Sequence, residues 1–229
     1  MNSNDDSNSN SNLEIEILTP DNNFCDLSYK IIVIGDSGVG KSCFTIQATQ
    51  DKFTEVYRTT VGYEFLSFNL RINKLVMKLQ IWDTCGQEVY KSLISGLYRN
   101  CSLAIILYSV TNRSTFQHIE TWIKELNKNI DNNVKIILVG NKSDLEKERK
   151  ISYEEGKNLK IKNKLDYFIE TSAKTGDNAK TVLIEAAKML YKDYMIAKKS
   201  TDKNVSKGNS QKLTKEKNNG KVKKKKKCC

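Results

Sequence analysis

Apolar residues along this chain come in two rhythms. Tyr29–Gly35, Leu103–Val110 and Val134–Gly140 are short, nearly unbroken apolar runs rich in β-branched residues. Such runs fit strands buried on both faces of a parallel sheet. Between them lie stretches with helical spacing. Ser114–Asn129 carries Phe116, Ile119, Ile123 and Leu126, and Asn178–Lys198 gathers Val182, Leu183, Ala186, Met189 and Leu190 on one face. Ser42–Gln50 and Tyr153–Lys162 also read as helices, and Asp166–Glu170 as a strand. Glu64–Arg71 and Leu75–Trp82 read as strands around a hairpin turn at Ile72-Asn73-Lys74. Alternation of this kind predicts an α/β fold, a mostly parallel six-stranded sheet with helices on both faces. Ligands of such sheets sit beyond the carboxyl ends of the strands.

The 229 residues divide by composition into three parts. Residues 1–27 are acidic and Asn/Ser-rich, too poor in apolar groups to offset chain entropy, and are expected to be disordered. The brief Leu13–Leu18 run is assigned no role. Residues 28–199 form the expected domain. Residues 200–229 form a basic, disordered tail ending in five lysines, Lys223–Lys227, and then Cys228-Cys229. Charge placement changes the picture. Residues 198–229 carry thirteen lysines against Asp202 and Glu216, so the net charge of +11 resides there and the remainder is neutral. A basic tail without interleaved aromatics argues against nucleic acid. The start of the chain has no basic n-region, so no secretory signal is expected. Cys25, Cys43, Cys85 and Cys101 then read as reduced thiols, and one histidine with no C-x-x-C pair argues against zinc.

The chemistry begins where the first apolar run ends. Gly35-Asp36-Ser37-Gly38-Val39-Gly40-Lys41-Ser42 is G-x-x-x-x-G-K-[ST] in its strand–loop–helix setting. Glycines let the backbone N–H groups turn inward around phosphate oxygens. The following helix adds its positive end. Lys41 is placed to reach β- and γ-phosphates, and the Ser42 hydroxyl to ligate Mg²⁺. Asn141-Lys142-Ser143-Asp144 follows the Val134–Gly140 run and matches N-K-x-D. A carboxylate at Asp144 can accept both N1–H and N2–H₂ of guanine as charge-assisted bonds, an edge adenine lacks. The Lys142 stem can cover the base.

With these motifs in order, the chain resembles a small GTPase of the Ras superfamily, and within it the Rab branch, over about Ser28–Lys199 and the terminal cysteines. The resemblance implies a P-loop small G domain, GTP/GDP as ligand and substrate, and Mg²⁺. It places Asp36, Ser37, Gly38, Val39, Gly40, Lys41, Ser42 and Cys43 at the phosphates. Phe53 would cover the guanine, and Thr171-Ser172-Ala173-Lys174 would supply Ser172, Ala173 and Lys174 to the base, with the Ala173 N–H meeting O6. Thr60, 18 residues after Ser42, would be the switch threonine that completes Mg²⁺ coordination beside Ser42 and Asp83. Trp82-Asp83-Thr84-Cys85-Gly86-Gln87-Glu88 departs from W-D-T-A-G-Q-E only at Cys85. Gly86 would meet the γ-phosphate and Gln87 would orient the attacking water, so Gln87, Thr60 and Lys41 are the expected catalytic residues. Arg58 reads as a solvated switch residue.

Val61-Gly62-Tyr63-Glu64-Phe65, Lys78–Trp82 and the Cys-Cys ending carry the Rab resemblance; Val89, Leu97 and Asn100 depart from it. It implies an effector surface at Phe65, Trp82 and Leu97, and double prenylation at Cys228 and Cys229. Two lipid chains and a polybasic run hold a protein stably at an anionic leaflet. The expected partners are effectors, an exchange factor, an activating protein, a GDP-dissociation inhibitor and an escort protein. The expected location is the cytoplasmic face of endomembranes or the plasma membrane, with a cytosolic pool. A GTP-binding adaptor with little hydrolysis, another Ras-superfamily switch and a P-loop kinase are the alternatives.

Overall fold

The central strand of the sheet is β2 (Leu27–Ile34), because its sequence is apolar on both faces. Ile31, Ile32, Val33 and Ile34 are all fully buried. Ile31 and Val33 face one layer, with Phe44 and Ala48 of α1 (Lys41–Gln50) and Val182, Leu183 and Ala186 of the C-terminal helix. Ile32 and Ile34 face the other, with Tyr98, Ile119, Ile123 and Leu126. The unbroken apolar runs are therefore the strands sandwiched between two helical layers. This computed structural model describes residues 13–22, 24–53, 63–84, 96, 98–130 and 134–208.

After α1 come β3 (Tyr63–Ile72) and β4 (Leu75–Thr84), an antiparallel hairpin whose two-residue turn puts Asn73 at a positive φ of 53°. β5 (Leu103–Ser109), β6 (Lys135–Asn141) and β7 (Tyr167–Thr171) follow, with α2 (Arg113–Gln117), α3 (Ile119–Asn129) and α4 (Tyr153–Lys162) between them. α4 opens with a capping box, Ser152 and Glu155 satisfying each other's backbone N–H. The last element is α5 (Ala179–Gly208). The strand order is β1-β3-β4-β2-β5-β6-β7, and β4, β2, β5, β6 and β7 are mutually parallel. The small G-domain α/β architecture expected of the chain is thus present, with three differences.

First, the sheet has seven strands, not six. β1 (Ile15–Ile17) lies in the stretch expected to be disordered and pairs antiparallel with β3, Ile15 opposite Ile72 and Ile17 opposite Leu70. Ile15 packs on the core, Glu16 pairs with Arg71, and the buried Asn69 amide donates to the carbonyls of Thr19, Pro20 and Asn22 at 3.2–3.3 Å. The strand covers the end of β3, whose backbone groups from Leu70 to Ile72 would otherwise lie on the sheet edge. Second, the helix read as Ser114–Asn129 is broken at His118. Thr115 turns its hydroxyl back to the Asn112 carbonyl, and the Thr115 oxygen accepts from Ser109 N–H, which ties the first turn to β5. Third, α5 runs past Lys198 to Gly208, because residues 199–207 contain no proline or glycine to stop it. Two compact units divide the chain after Tyr191. The first holds the sheet and both cores.

Candidate functional site

The loop leaving β2 is shaped by glycine. Gly35 has φ 141°, and a Cβ there would fall 2.3 Å from the Leu107 carbonyl oxygen. Gly40, at φ 93°, caps α1, and a Cβ there would lie 2.6 Å from Asn141 Nδ2. Neither position admits another residue without moving backbone or a fixed amide. Lys41 is buried, its ammonium donating to the carbonyls of Gly35 and Asp36 at 2.8 and 2.9 Å. Val39 is in the core, while Ser37 and Gly38 are exposed. The Asp36 carboxylate accepts from Trp122 Nε1 at 2.8 Å and lies 2.7 Å from His118 Nδ1.

At the second residue of α1, the Ser42 hydroxyl donates to Oδ2 of Asp83, which β4 brings alongside at 0% exposure. Burial pushes the Asp83 carboxyl up to about 6, against the opposing pull of the Ser42 hydrogen bond and the Lys41 charge. Its second oxygen, Oδ1, is buried with no hydrogen-bond partner. A buried carboxylate oxygen in that state costs free energy unless a cation or donor meets it. Among the described residues no three His, Cys, Asp or Glu side chains converge. The pair Ser42–Asp83 therefore suits a hard, oxygen-preferring cation that takes its other ligands from phosphate and water, as Mg²⁺ does. Burial, and then the Asp83 charge, also raise the Cys43 thiol.

β6 delivers the second loop. Asn141 is 1% exposed and ties three segments together. Its amide donates to the Val39 carbonyl at 2.9 Å, and its oxygen accepts from Thr171 Oγ1 and Ala173 N–H at 3.2 Å. The Ala173 amide expected at a base oxygen is thus engaged with Asn141. Lys142, at φ 69°, donates to the Gly38 carbonyl at 2.8 Å. Asp144 accepts from Ser172 Oγ at 2.6 Å, and Ser172 Oγ also accepts from Thr175 N–H.

These loops enclose a cavity of about 420 Å³, within the range of small-molecule sites. Its walls are Gly38, Gly40 and Cys43 on one side, Asn141, Lys142 and Asp144 on another, with Phe53, Ala173 and Lys174 at the rim. Leu145 also lines it and was not read from the sequence, since an apolar residue after N-K-x-D carries no signal of its own. His118 and Trp122 were likewise missed, because nothing in sequence links them to a residue more than eighty positions away. A larger cleft, about 650 Å³, lies between Ile17–Pro20, the end of α1 and Phe65–Asn69, and takes in none of the phosphate-loop or Asn141–Asp144 residues.

Phe65 and Trp82 sit together on the β3–β4 hairpin, ring centroids 5.4 Å apart, with Tyr63 at 5.1 Å from the same indole. Arg58, Thr60, Cys85, Gly86, Gln87, Val89, Leu97, Cys228 and Cys229 lie outside the described residues. Compared with known protein families, residues 30–192 match the Ras family.

Proposed function

The chain belongs to the Ras family, and from that premise we propose that it is a Rab-type switch that cycles between GTP and GDP and recruits effectors to membranes in vesicle traffic. As a Ras-family member it is a small GTPase, a guanine-nucleotide switch with regulators and effectors. The observation that carries the site assignment is the convergence of Gly38, Gly40 and Cys43 with Asn141 and Asp144 on one cavity.

In this reading the phosphates take the place framed by Gly38–Ser42. Lys41, already oriented by two carbonyls, neutralises charge on the β- and γ-phosphates. Asn141 holds the phosphate loop and the base loops in fixed register, and Asp144, oriented by Ser172, accepts from the guanine edge. Lys142 and Phe53 cover the base. Ser42 and Asp83, with Thr60 by resemblance, would hold Mg²⁺, which would supply a Lewis acid against charge on the phosphate oxygens. Gln87 orients water, and Gly86 with Thr60 reads the γ-phosphate. Residues 28–199 form the G domain, flanked by 1–27 and 200–229.

The Rab assignment is supported by exposed Phe65 packed on half-buried Trp82, which with Leu97 would form the effector surface, and by the Cys228-Cys229 ending beside Lys223–Lys227 as a prenylation site. Effectors, an exchange factor, an activating protein, a GDP-dissociation inhibitor and an escort protein are the partners. The cytoplasmic face of an endomembrane or the plasma membrane, with a cytosolic pool, is the location. Two experiments test this. Single-turnover hydrolysis of GTP by the purified chain is expected to be slow but measurable and lost in Gln87→Leu; no hydrolysis by the wild type would favour a GTP-binding adaptor. Imaging the Gln87→Leu chain with and without Cys228 and Cys229 is expected to show membrane labelling only with the cysteines present. Equal labelling would reject the lipid anchor.

A further inference from the structure

Asp36 is the one carboxylate in the loop Gly35–Ser42, and it stands in the segment that would wrap a strongly anionic group. Left bare, it would repel that group. The structure does not leave it bare. Trp122 donates its indole N–H to one oxygen at 2.8 Å, and His118 Nδ1 sits 2.7 Å from the other. The two residues are one helical turn apart at the start of α3, and so reach the same carboxylate. Trp122 is 7% exposed and fixed in the second core layer, whereas the His118 side chain is 54% exposed.

We propose that His118 and Trp122 are positioning residues for the phosphate loop, and that the proton on His118 governs how long the loop retains its nucleotide. This rests on the guanine-nucleotide reading above. Either charge state of the imidazole can donate through Nδ1, so the geometry survives deprotonation. The charge does not. With a proton on both ring nitrogens the Asp36–His118 pair is neutral; with one, it carries −1 next to the phosphates. Imidazole changes charge between about pH 5 and 8. Nucleotide retention therefore strengthens as pH falls through that range.

The charged groups on the elements packed around His118 are accounted for among the described residues. The phosphate loop and α1 contribute Asp36 and Lys41, whose ammonium meets the Gly35 and Asp36 carbonyls. α2 contributes Arg113, which is paired with Glu155 of α4. On α3, Glu120 is paired with Lys162, Glu125 accepts from the Tyr98 hydroxyl, and Lys124 and Lys128 are the remaining charges, all beyond the turn that carries His118 and Trp122 or paired away from it. Asp36 is the carboxylate hydrogen-bonded to the imidazole. Because the pair is part-exposed, the effect is modest, roughly threefold in release rate.

The test is the release rate of a fluorescent GDP analogue from the full-length chain between about pH 5.5 and 8. Other groups respond to pH alike in every variant. The quantity to read is therefore the ratio of the His118→Gln rate to the wild-type rate at each pH. Glutamine keeps a donor and cannot titrate. The ratio is expected to rise from about one at high pH to roughly three at low pH. Trp122→Phe is expected to release faster at all pH values. Asp36→Asn is expected to abolish the pH-dependent ratio, with His118→Gln adding nothing to it. A ratio that stays constant with pH, in a wild type that binds GDP, overturns this inference alone. A wild type that takes up no guanine nucleotide overturns the underlying reading and this inference with it.

Discussion

Replacing Asp83 with asparagine is expected to stabilise the empty protein while removing its response to Mg²⁺. The carboxyl is 0% exposed and is raised from 3.8 to about 6 by burial. A folded-state value above the unfolded one means that the ionised carboxylate works against the fold. The ligand-free chain therefore gains stability as pH falls from above about 6 to below 3.8, and loses it again as pH rises. A gap of about two pH units corresponds to about 3 kcal/mol at neutral pH. The substituted carboxamide would still accept from the Ser42 hydroxyl, but its N–H₂ would occupy the place of the unpartnered Oδ1. That buried donor costs about 1–2 kcal/mol. The net gain of about 1–2 kcal/mol raises the melting temperature by about 4 °C for a domain of this size. The assay is thermal melting at neutral pH in three conditions: ligand-free, with GDP and chelator, and with GDP and Mg²⁺. Wild type is expected to rise sharply between the second and third, and Asp83→Asn not to rise at all. A variant that melts below wild type when ligand-free, or that keeps the full Mg²⁺ increment, refutes the reasoning.

Other substitutions probe the remaining supports. Gly40→Ala forces a Cβ to 2.6 Å from Asn141 Nδ2 at φ 93°, so nucleotide affinity measured by titration should fall at least about tenfold. Asp144→Asn removes the charge from the guanine-facing acceptor and should cost about 2 kcal/mol of GTP affinity, read by competition against unlabelled GTP. Deleting residues 1–22 strips β1 and the three carbonyls held by Asn69, and should lower the melting temperature by a few degrees with base preference unchanged. An unchanged melting temperature would mean that the strand adds nothing to stability.

Much of the sheet was legible because burial on both faces leaves a continuous apolar signature, as in Ile31–Ile34 and Leu103–Leu107. The phosphate loop and Asn141–Asp144 were legible because close backbone approach and base recognition restrict which residue types fit. What escaped the sequence is tertiary in origin. β1 lies in an alternating run, Leu13–Ile17, but at the end of an acidic, Asn/Ser-rich stretch whose composition reads as disordered, and it is held by pairing with β3 beside Asn69. The interruption at His118 is a single-residue turn between two helices that share one apolar spacing, so helical periodicity does not mark it. Leu145 lines the cavity beyond the left-handed turn at Lys142, a backbone feature that residue type does not announce.

Equilibrium competition between GTP and ATP for the purified chain, in Mg²⁺, puts the whole reading at risk. Asp144, oriented by Ser172 and set in the cavity that Asn141 ties to the phosphate loop, should favour guanine by several hundredfold or more, since adenine leaves that carboxylate without its donors. Equal affinity for the two nucleotides, or a preference for ATP, would contradict it.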